Sequence, residues 1–518
     1  MSEGVFFADR FAELQQTQGN DVAIVFEDRN ITFGDLISRS WQVGNGLLEM
    51  GIPRQERIAH LGKNSPEFFE LFIAGCASAH ALAGINWRLA GPEVEQILNY
   101  TENSVLFVDR EFYPTIEAIE GNLTHIKHII ALDGGHERWL DYAQWRDAQA
   151  DTRPDVTING DDDILHLYTS GTTGLPKGVQ LTNQGYLDVF NAFTSDGIFD
   201  IDQSSVFINV MPLFHVGGVN PTVMPLLCGA KFHLLTDFEP TKVLDTLADE
   251  GITNALFVPA MIQMLLQEPN VRNRDYSKLE YIYYGASPIS ESVLTEALEV
   301  FGCKFIQLYG ATENYGLATK LPPEVHVPGS EKLRSCGRAV KGLTIKIVDG
   351  DGNEVPTGEV GEIMIQCDWL LKSYWKKPEE SAEVTAGGWY HSGDAASVDE
   401  EGFVYIKDRV KDMIITGGEN VFPAEVENAL QSHPDIIDVA VIGVPDDKWG
   451  EAIVAAVVLS PGAILSETEL IDYARTRVAG FKVPKGINFI DALPRNPSGK
   501  ILRRELRAPY WEGKTRGV

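Results

Sequence analysis

The sequence predicts an α/β protein: a large N-terminal body of doubly wound sheets with a β-rich subdomain, then a small α+β C-terminal domain. From about residue 55 to 310, short β-branched or aromatic runs alternate with helix-length amphipathic segments. That alternation is typical of parallel strands covered by helices on both faces. Between Ser330 and about Arg409 the runs are shorter and separated by turn signals, and after Arg409 a new order of strands and helices begins.

The predicted elements follow this division. In the body we expect strands at Arg57–Leu61, Asp163–Tyr168, Ser205–Val210, Ala255–Val258, Tyr281–Tyr284 and Lys304–Leu308. In the C-terminal region we expect strands at Met413–Thr416, Asp438–Val444 and Ile453–Leu459, with helices from Pro423 and over Glu467–Val478. Ser65 before Pro66, and Ser466 with Glu469, are typical of helix N-termini. The predicted domains are 1–408 and 409–518.

Composition excludes several classes of protein. The 518 residues include 43 Lys and Arg against 74 Asp and Glu, a net charge of −31, and 44% are hydrophobic. This balance argues against disorder and against binding to DNA or anionic membranes by charge neutralisation. We expect no membrane span and no secretory signal. The five cysteines never form CxxC, and His125 and His128 lack further ligands at metal spacing, so we expect reduced thiols, no metal cluster and a cytoplasmic location.

The loop from Thr169 to Lys177, directly after a predicted strand, carries the strongest chemical signal. Its glycines allow close approach of the backbone to an anion, its hydroxyl residues supply donors and its lysine supplies positive charge. These properties suit a polyphosphate. The spacing is neither that of a Walker A loop nor that of a dinucleotide fingerprint. By composition alone, a polar surface hairpin is an equal alternative.

Four further motifs follow in order: Gln307–Glu313, Tyr390–Asp394, Lys407–Asp412 and Pro497–Lys500. Together with the loop they resemble the adenylate-forming superfamily, which includes acyl- and aryl-CoA synthetases, luciferases and adenylation domains of peptide synthetases. The stretch Tyr405–Glu425 is most similar to bacterial fatty-acyl-CoA synthetases and also resembles aryl and cinnamoyl ligases. The resemblance implies ATP, Mg²⁺ and coenzyme A as cofactors or co-substrates, and a small C-terminal domain that rotates about a hinge near Lys411.

The resemblance also implies roles for individual residues. The phosphates of ATP are expected on Thr169, Ser170, Gly171, Thr172, Thr173, Gly174 and Lys177. Adenine and the acyl group are expected beside Gly285, Ala286, Ser287, Tyr309, Gly310 and Ala311, with Thr312 on the α-phosphate. Asp394 is expected on the ribose hydroxyls, with Arg409 and Lys411 nearby, although Asp408 replaces the glycine usual before this arginine. Gly417, Gly418 and Glu419 are expected over the pantetheine arm of CoA.

Four residues are the candidates for catalysis: Lys500, Thr312, Glu313 and His215. A carboxylate beside a phosphate-binding loop repels the substrate unless a cation lies between them, so Glu313 is predicted to bind Mg²⁺. Lys500 is expected to reduce the repulsion between an attacking carboxylate and the α-phosphate. His215 is expected at the acyl pocket.

The leading hypothesis is an ATP-dependent carboxylic acid–CoA ligase that forms acyl-AMP and then acyl-CoA. A medium- or long-chain fatty acid is the favoured substrate, because Gly217, Gly218 and Gly285 would leave space for a chain. An aryl or hydroxycinnamoyl acid is the alternative, since the same glycines would make room for a ring. An enzyme that loads a separate carrier protein and a non-catalytic sensor are the other hypotheses. A homodimer is expected from the family alone.

Overall fold

The computed structural model describes residues 7–169, 176–195, 197–198, 200–287, 289–409, 412–417, 419–446, 448–495 and 501–512. The chain forms two compact units, and neither is a continuous segment. The first comprises Met1–Thr344 and Ile365–Tyr390, and the second comprises Ile345–Met364 and His391–Val518. The domain boundary predicted after residue 408 stays a prediction.

Helices and strands alternate along most of the chain. The helices are α1 (Phe7–Gln18), α2 (Phe33–Glu49), α3 (Pro66–Ser78), α4 (Gly91–Tyr100), α5 (Tyr113–Ile119), α6 (Tyr142–Asp147), α7 (Asn183–Ser195), α8 (Val216–Leu227), α9 (Pro240–Asp249), α10 (Pro259–Leu266), α11 (Glu291–Phe301), α12 (Pro378–Val384), α13 (Pro423–Gln431), α14 (Glu467–Arg475) and α15 (Arg503–Trp511). The strands are β1 (Val22–Phe26), β2 (Arg29–Thr32), β3 (Arg57–Leu61), β4 (Ala81–Ile85), β5 (Val105–Val108), β6 (His128–Ala131), β7 (Leu140–Asp141), β8 (Asp163–Thr169), β9 (Lys177–Thr182), β10 (Val206–Asn209), β11 (Lys231–Leu234), β12 (Asn254–Phe257), β13 (Tyr281–Gly285), β14 (Lys304–Tyr309), β15 (Thr319–Leu321), β16 (Arg338–Ala339), β17 (Thr344–Val348), β18 (Gly361–Gln366), β19 (Ser373–Tyr374), β20 (Tyr390–Val398), β21 (Val404–Arg409), β22 (Ile414–Thr416), β23 (Glu419–Val421), β24 (Ile436–Asp446), β25 (Gly450–Leu459) and β26 (Gly486–Phe489).

The first unit contains two mixed sheets with parallel centres. The nine-stranded sheet has the order β16-β15-β14-β13-β12-β10-β11-β1-β2, and its strands from β14 to β1 are parallel neighbours. The eight-stranded sheet has the order β19-β9-β8-β4-β3-β5-β6-β7, parallel from β8 to β7. Antiparallel strands lie at the edges, including β9 and β19. The predicted α/β class is confirmed.

Apolar side chains on these strands and their covering helices form separate cores. One core includes Ile208, Phe257, Ile282 and Phe305 from the nine-stranded sheet, packed against helices such as α9 and α11. A second core surrounds β3 and β5 of the eight-stranded sheet and includes residues of α4 and α5. Strands buried on both faces explain why these runs are almost wholly apolar.

The second unit contains two smaller sheets. The order β17-β18-β20-β21 forms a four-stranded sheet, which confirms a β-rich subdomain. The order β23-β22-β25-β24, with β26 beside β25, forms a five-stranded sheet. Its core includes Val441, Val457 and residues of α13 and α14. The segment that carries β19 and α12 lies within the predicted β-rich region of the sequence but belongs to the first unit.

The predicted elements agree with the structure except at some ends and one cap. Each strand predicted for the body is present to within one residue at either end. Helix α14 ends at Arg475 rather than Val478, because the amide of Arg477 bonds the carbonyl of Ala474 in a tighter last turn. Ser466 and Glu469 form the predicted capping box. Ser65 immediately precedes α3, but its buried hydroxyl caps no amide there.

Two expected absences concern the described part of the chain. Within it, no helix is long and apolar enough to cross a membrane. His125 lies 3.9 Å from Glu102, yet no group of three His, Cys, Asp or Glu side chains among the described residues is placed to hold a metal ion.

Helix α15, which directly follows the Pro497–Lys500 motif, is held by a bidentate ion pair. Nη2 of Arg503 lies 2.8 Å from each carboxylate oxygen of Glu427, and both side chains are about 15% exposed or less. Glu427 also accepts a hydrogen bond from the amide of Val441 at 2.7 Å. The indole of Trp511 donates to the carbonyl of Gly443. Helix α15 is thereby fixed to α13 and β24.

Replacing Arg503 tests this attachment. Arg503→Met should leave Glu427 without its cation and destabilise the docking of α15 by about 2 kcal/mol, since bidentate pairs that exclude water are stronger than exposed ones. Hydrogen–deuterium exchange of Arg503–Trp511 should rise sharply in this variant. Arg504→Met, at the neighbouring exposed position, is the matched control and should exchange as the wild type does. Equal protection in both variants would show that the ion pair does not hold the helix.

Candidate active site

Three parallel strands of the nine-stranded sheet deliver predicted site residues to one edge. His215 follows β10, Gly285–Ser287 follow β13, and Tyr309–Glu313 follow β14. These strands are parallel, in the order β14-β13-β12-β10, so their carboxyl ends share an edge. Ligands of open α/β sheets bind at that edge.

The end of β13 is shaped by a close backbone contact. Gly285 is opposite Leu308, and a Cβ at residue 285 would lie 2.2 Å from the carbonyl oxygen of Leu308. The next residue, Ala286, has a φ of +66°, a conformation that costs free energy for any residue with a side chain. Strain of this kind is concentrated at functional sites.

The turn after β14 is equally tight. A Cβ at Gly310 would lie 2.3 Å from the carbonyl carbon of Gly316, so only glycine fits there. Asn314 accepts a hydrogen bond from the amide of Ala311 at 2.7 Å, and the residues from Thr312 to Asn314 form one 3₁₀ turn. This turn buries Glu313 at the strand end, at 8% exposure.

A tyrosine from another part of the chain holds the Glu313 side chain. The hydroxyl of Tyr374 donates a buried hydrogen bond of 2.8 Å to Oε1 of Glu313. The amide of Leu371, three residues earlier, donates to the backbone carbonyl of Glu313 at 2.7 Å. The segment around β19 therefore fixes both the backbone and the carboxylate of the predicted metal ligand.

The two ends of the phosphate-loop motif are adjacent. Thr169 and Lys177 are paired across β8 and β9. Nζ of Lys177 lies 2.6 Å from Oε2 of Glu380 and 4.7 Å from the centroid of the Tyr374 ring. The ammonium groups of Lys177 and Lys377 lower the pKa of Glu380. The predicted loop residues Ser170, Gly171, Thr172, Thr173 and Gly174 lie outside the described residues.

In the second unit, the backbone brings together two of the predicted ribose-binding residues. Asp394 on β20 is the register partner of Arg409 on β21. The amide of Asp394 donates to the hydroxyl of Ser392, which itself donates to the carbonyl of Ile363. The amide of Gly393 donates to Glu362 at 2.9 Å. This part of β20 is thus fixed by residues of β18.

Only some of the remaining site residues predicted in the C-terminal region belong to the described part of the chain. Gly417 has a φ of +61° and donates its amide to the carbonyl of Trp449, whose ring a Cβ at residue 417 would meet at 2.8 Å. Glycine is therefore required at this position. Glu419 begins β23 and is exposed. Lys411, Gly418 and Lys500 lie outside the described residues.

His215 lies at the start of α8 as a neutral side chain. Burial, together with the positive charge of Arg88, lowers its pKa to about 4, because the imidazolium form would lose its hydration. Its Nε2 atom is buried and has no hydrogen-bond partner among the described residues. Its ring packs 4.5 Å from that of Phe214. A neutral imidazole with an unused nitrogen suits contact with a ligand rather than a charge role.

The three glycines proposed to open a substrate channel differ. A Cβ at Gly218 would lie 2.1 Å from the carbonyl oxygen of Pro212. At Gly285, too, a backbone carbonyl oxygen occupies the place that a Cβ would take. These two glycines serve close packing. At Gly217 the nearest atom would be the methyl carbon of Met211 at 3.8 Å, an ordinary van der Waals contact, so of the three positions only this one would accept a Cβ without a clash.

The donor set at Glu313 fits a magnesium ion that arrives with its substrate. Magnesium commonly binds through one or two carboxylates and keeps water and phosphate oxygens as its other ligands. Glu313 is a buried carboxylate of which the described residues use Oε1 for one hydrogen bond. That arrangement needs no preformed group of three ligands, and none is found in the described part of the chain.

Sequence reasoning missed Tyr374 and Glu380. Tyr374 is 61 residues from Glu313, and the contact depends on the pairing of β19 with β9. A two-residue strand has no periodicity that a sequence can show. Glu380 lies in a run of acidic residues at the start of α12, where the acids favour the helix N-terminus and give no sign of a partner.

The tight turns, the paired charges and the shared strand edge are typical of an α/β protein with a ligand site at the carboxyl ends of its strands. The chain belongs to the AMP-binding enzyme family. Residues 11–375 match that family, and residues 425–500 match the AMP-binding enzyme C-terminal domain. It is an enzyme of the AMP-forming acid–thiol ligase group within it.

Individual relatives cover almost the whole chain. A fatty acid–[acyl-carrier-protein] ligase of Streptomyces coeruleorubidus is 39% identical over 501 residues, covering 96% of this chain and 95% of the relative. An indoleacetate–CoA ligase of Aromatoleum aromaticum is 35% identical over 502 residues, covering 96% of each chain. The crystal structure of the anthranilate CoA ligase AuaEII in complex with anthranoyl-AMP has a TM-score of 0.89 at 29% identity, covering 98% of each chain.

The lowered pKa of His215 predicts how activity depends on pH. Since the group is already neutral above about pH 5, it should contribute no ionisation to the pH profile of acid-dependent pyrophosphate release between about pH 6 and 8. His215→Phe should change the rate and keep the shape of the wild-type profile. An acidic limb that is present in the wild type and absent from His215→Phe would show that the imidazole titrates in this range.

Proposed function

We propose that this enzyme activates a carboxylic acid with ATP and transfers the acyl group to a thiol. The carboxylate attacks the α-phosphate, the bond to pyrophosphate breaks, and an acyl-AMP forms. A thiolate then attacks the acyl carbon and AMP leaves. The mixed anhydride divides one difficult reaction into two easier ones.

The observation that carries this proposal is that the side chains of Glu313 and Lys177 both contact Tyr374. To bind a nucleoside triphosphate with its metal ion, a protein needs a cationic group for the phosphates and a carboxylate for the metal. Lys177 would contact the phosphates in place of Glu380, and Glu313 would hold Mg²⁺. When bound, the metal supplies charge neutralisation at the phosphates.

Other roles follow the family motifs. Thr312 would donate to the α-phosphate, and Tyr309 and Ala286 would flank the adenine. Asp394 would accept hydrogen bonds from the ribose hydroxyls, a role supported by its pairing with Arg409. Gly417, Gly418 and Glu419 would lie beside the pantetheine arm of the thiol substrate, and Lys411 would be the hinge.

A medium- or long-chain fatty acid is the proposed substrate. The room for a Cβ at Gly217 and the unused nitrogen of the His215 imidazole support a pocket for an acyl group near the end of β10. The fatty acid ligase of Streptomyces coeruleorubidus supports an aliphatic acid. The indoleacetate and anthranilate ligases favour an aromatic acid as the second candidate.

The acceptor is proposed to be coenzyme A, with a separate carrier protein as the second candidate. The indoleacetate and anthranilate relatives are CoA ligases, and the Streptomyces relative uses an acyl carrier protein. A cytoplasmic location is part of the proposal. It is supported by the five cysteines, which are free in the structure.

The role of Lys500 is tested by separating the two half-reactions. Lys500→Ala should nearly abolish pyrophosphate release from ATP and acid, because no ammonium would then offset the repulsion between carboxylate and phosphate. Thioester formation from supplied acyl-adenylate should be largely retained. Equal loss in both half-reactions would contradict the assignment.

The substrate and the acceptor are tested with one panel of acids. Pyrophosphate release should be fastest with medium- or long-chain fatty acids, and Gly217→Phe should shift the preference to shorter chains by placing a ring in the proposed acyl pocket. Thioester should then form with coenzyme A. A preference for aromatic acids, or adenylate without thioester until a phosphopantetheinylated carrier is added, would favour the second candidates.

A further inference from the structure

Tyr374 contacts both charges of the proposed nucleotide site. It lies on β19, at the edge of the eight-stranded sheet, and pairs with Val179 of β9, the strand that begins at Lys177. The Tyr374 ring lies under the Lys177 ammonium at 4.7 Å, and its hydroxyl bonds Glu313 at 2.8 Å. One side chain, 4% exposed, therefore touches a cation and an anion from two different sheets.

The chemistry of a phenol is well suited to this place. A phenol hydroxyl orients a carboxylate and leaves its negative charge in place, whereas a lysine or arginine there would neutralise it. The face of the ring attracts an ammonium group electrostatically and leaves its positive charge in place. Glu380, by contrast, offsets the positive charge of Lys177 with its own negative charge. The contacts made by Tyr374 add no charge beside either group.

The backbone of Tyr374 is itself held firmly. Its amide donates to the hydroxyl of Ser381 in α12 at 2.8 Å, and that hydroxyl donates to the carbonyl of Lys377 at 2.6 Å. The amide of Leu371 reaches the Glu313 backbone from the same segment. The segment therefore places the phenol with little freedom relative to Glu313.

We infer that Tyr374 is a positioning residue for the metal–nucleotide complex, which holds Glu313 through its hydroxyl and Lys177 through its ring. The inference rests on the proposed function, because that function assigns the Glu313 carboxylate to Mg²⁺ and the Lys177 ammonium to the phosphates of ATP. Groups that orient a metal ligand commonly change metal affinity by 10–100-fold when removed. The hydroxyl and the ring should therefore have separable effects on ATP binding.

The test is calorimetric titration of the full-length enzyme with ATP, once with chelator and once with saturating Mg²⁺. In Tyr374→Phe, the gain in ATP affinity produced by Mg²⁺ should fall about tenfold, while affinity without metal stays that of the wild type. In Tyr374→Leu, affinity without metal should also fall, by about two- to fivefold. A Mg²⁺ effect in folded Tyr374→Phe equal to that of the wild type overturns the inference.

Tyr142→Phe is the matched control. Its hydroxyl also makes a buried hydrogen bond with a glutamate, 2.7 Å to Oε2 of Glu70, so the variant removes an equivalent interaction elsewhere in the first unit. It should lower thermal stability and leave the Mg²⁺ effect unchanged. If both variants change the Mg²⁺ effect equally, the loss reflects general destabilisation and the inference is wrong.

A double variant shows whether Tyr374 acts through Glu313. In a Glu313→Gln background, Tyr374→Phe should produce no further change in the Mg²⁺ effect, and an additive loss contradicts the inference. A failure of the proposed function can be distinguished from a failure of the inference. If no acid produces pyrophosphate release, that function is wrong, and the binding titrations alone decide the role of Tyr374. If the wild type is active and Tyr374→Phe binds Mg²⁺–ATP equally well, only the inference fails.

Discussion

The hydrogen bond from Tyr374 to Glu313 is the interaction on which the proposed site of the first unit depends. Glu313 follows a strand of the nine-stranded sheet, and Tyr374 belongs to the edge of the eight-stranded sheet. Each sheet alone supplies one half of the proposed phosphate site: a carboxylate after β14, or a lysine at the start of β9. One neutral side chain, Tyr374, contacts both charged groups.

Local charge explains how a strongly acidic protein can bind polyanions. The net charge of −31 describes solubility and non-specific association, and it counts against nucleic acids and anionic membranes. A site depends instead on the groups that face it. Lys177 is paired with Glu380 in this structure, so a phosphate would replace one anionic partner with another at little electrostatic cost. Until the nucleotide arrives, the ion pair with Glu380 would keep the ammonium group of Lys177 oriented.

Much of the fold is encoded locally and was predictable. The strands of the body are short apolar runs bounded by turns, and their prediction is confirmed to within a residue at each end because burial on both faces requires that pattern. The candidate site residues after β13 and β14 were identified through the family resemblance, and their roles remain predictions although the strands place them at one sheet edge. Gly285 and Gly218, however, were interpreted as open space, although a backbone carbonyl occupies the position of each missing side chain.

Contacts between distant segments could not be predicted. Nothing near Tyr374 in the sequence indicates that a two-residue strand will pair with β9, or that its hydroxyl will reach Glu313. The second unit likewise combines two separate segments, Ile345–Met364 and His391–Val518, and this division could not be predicted either. Such features follow from long-range pairing, which a pattern of neighbouring residues does not encode.

Adenylation of a carboxylic acid before any thiol reacts is the step on which the proposed function depends. Exchange of labelled pyrophosphate into ATP measures this step directly, in the presence of the acid and with neither coenzyme A nor a carrier protein. Adenylation in this order predicts exchange that requires the acid and Mg²⁺ and occurs without a thiol. Exchange that appears only after a thiol is added, or that is independent of the acid, would contradict it.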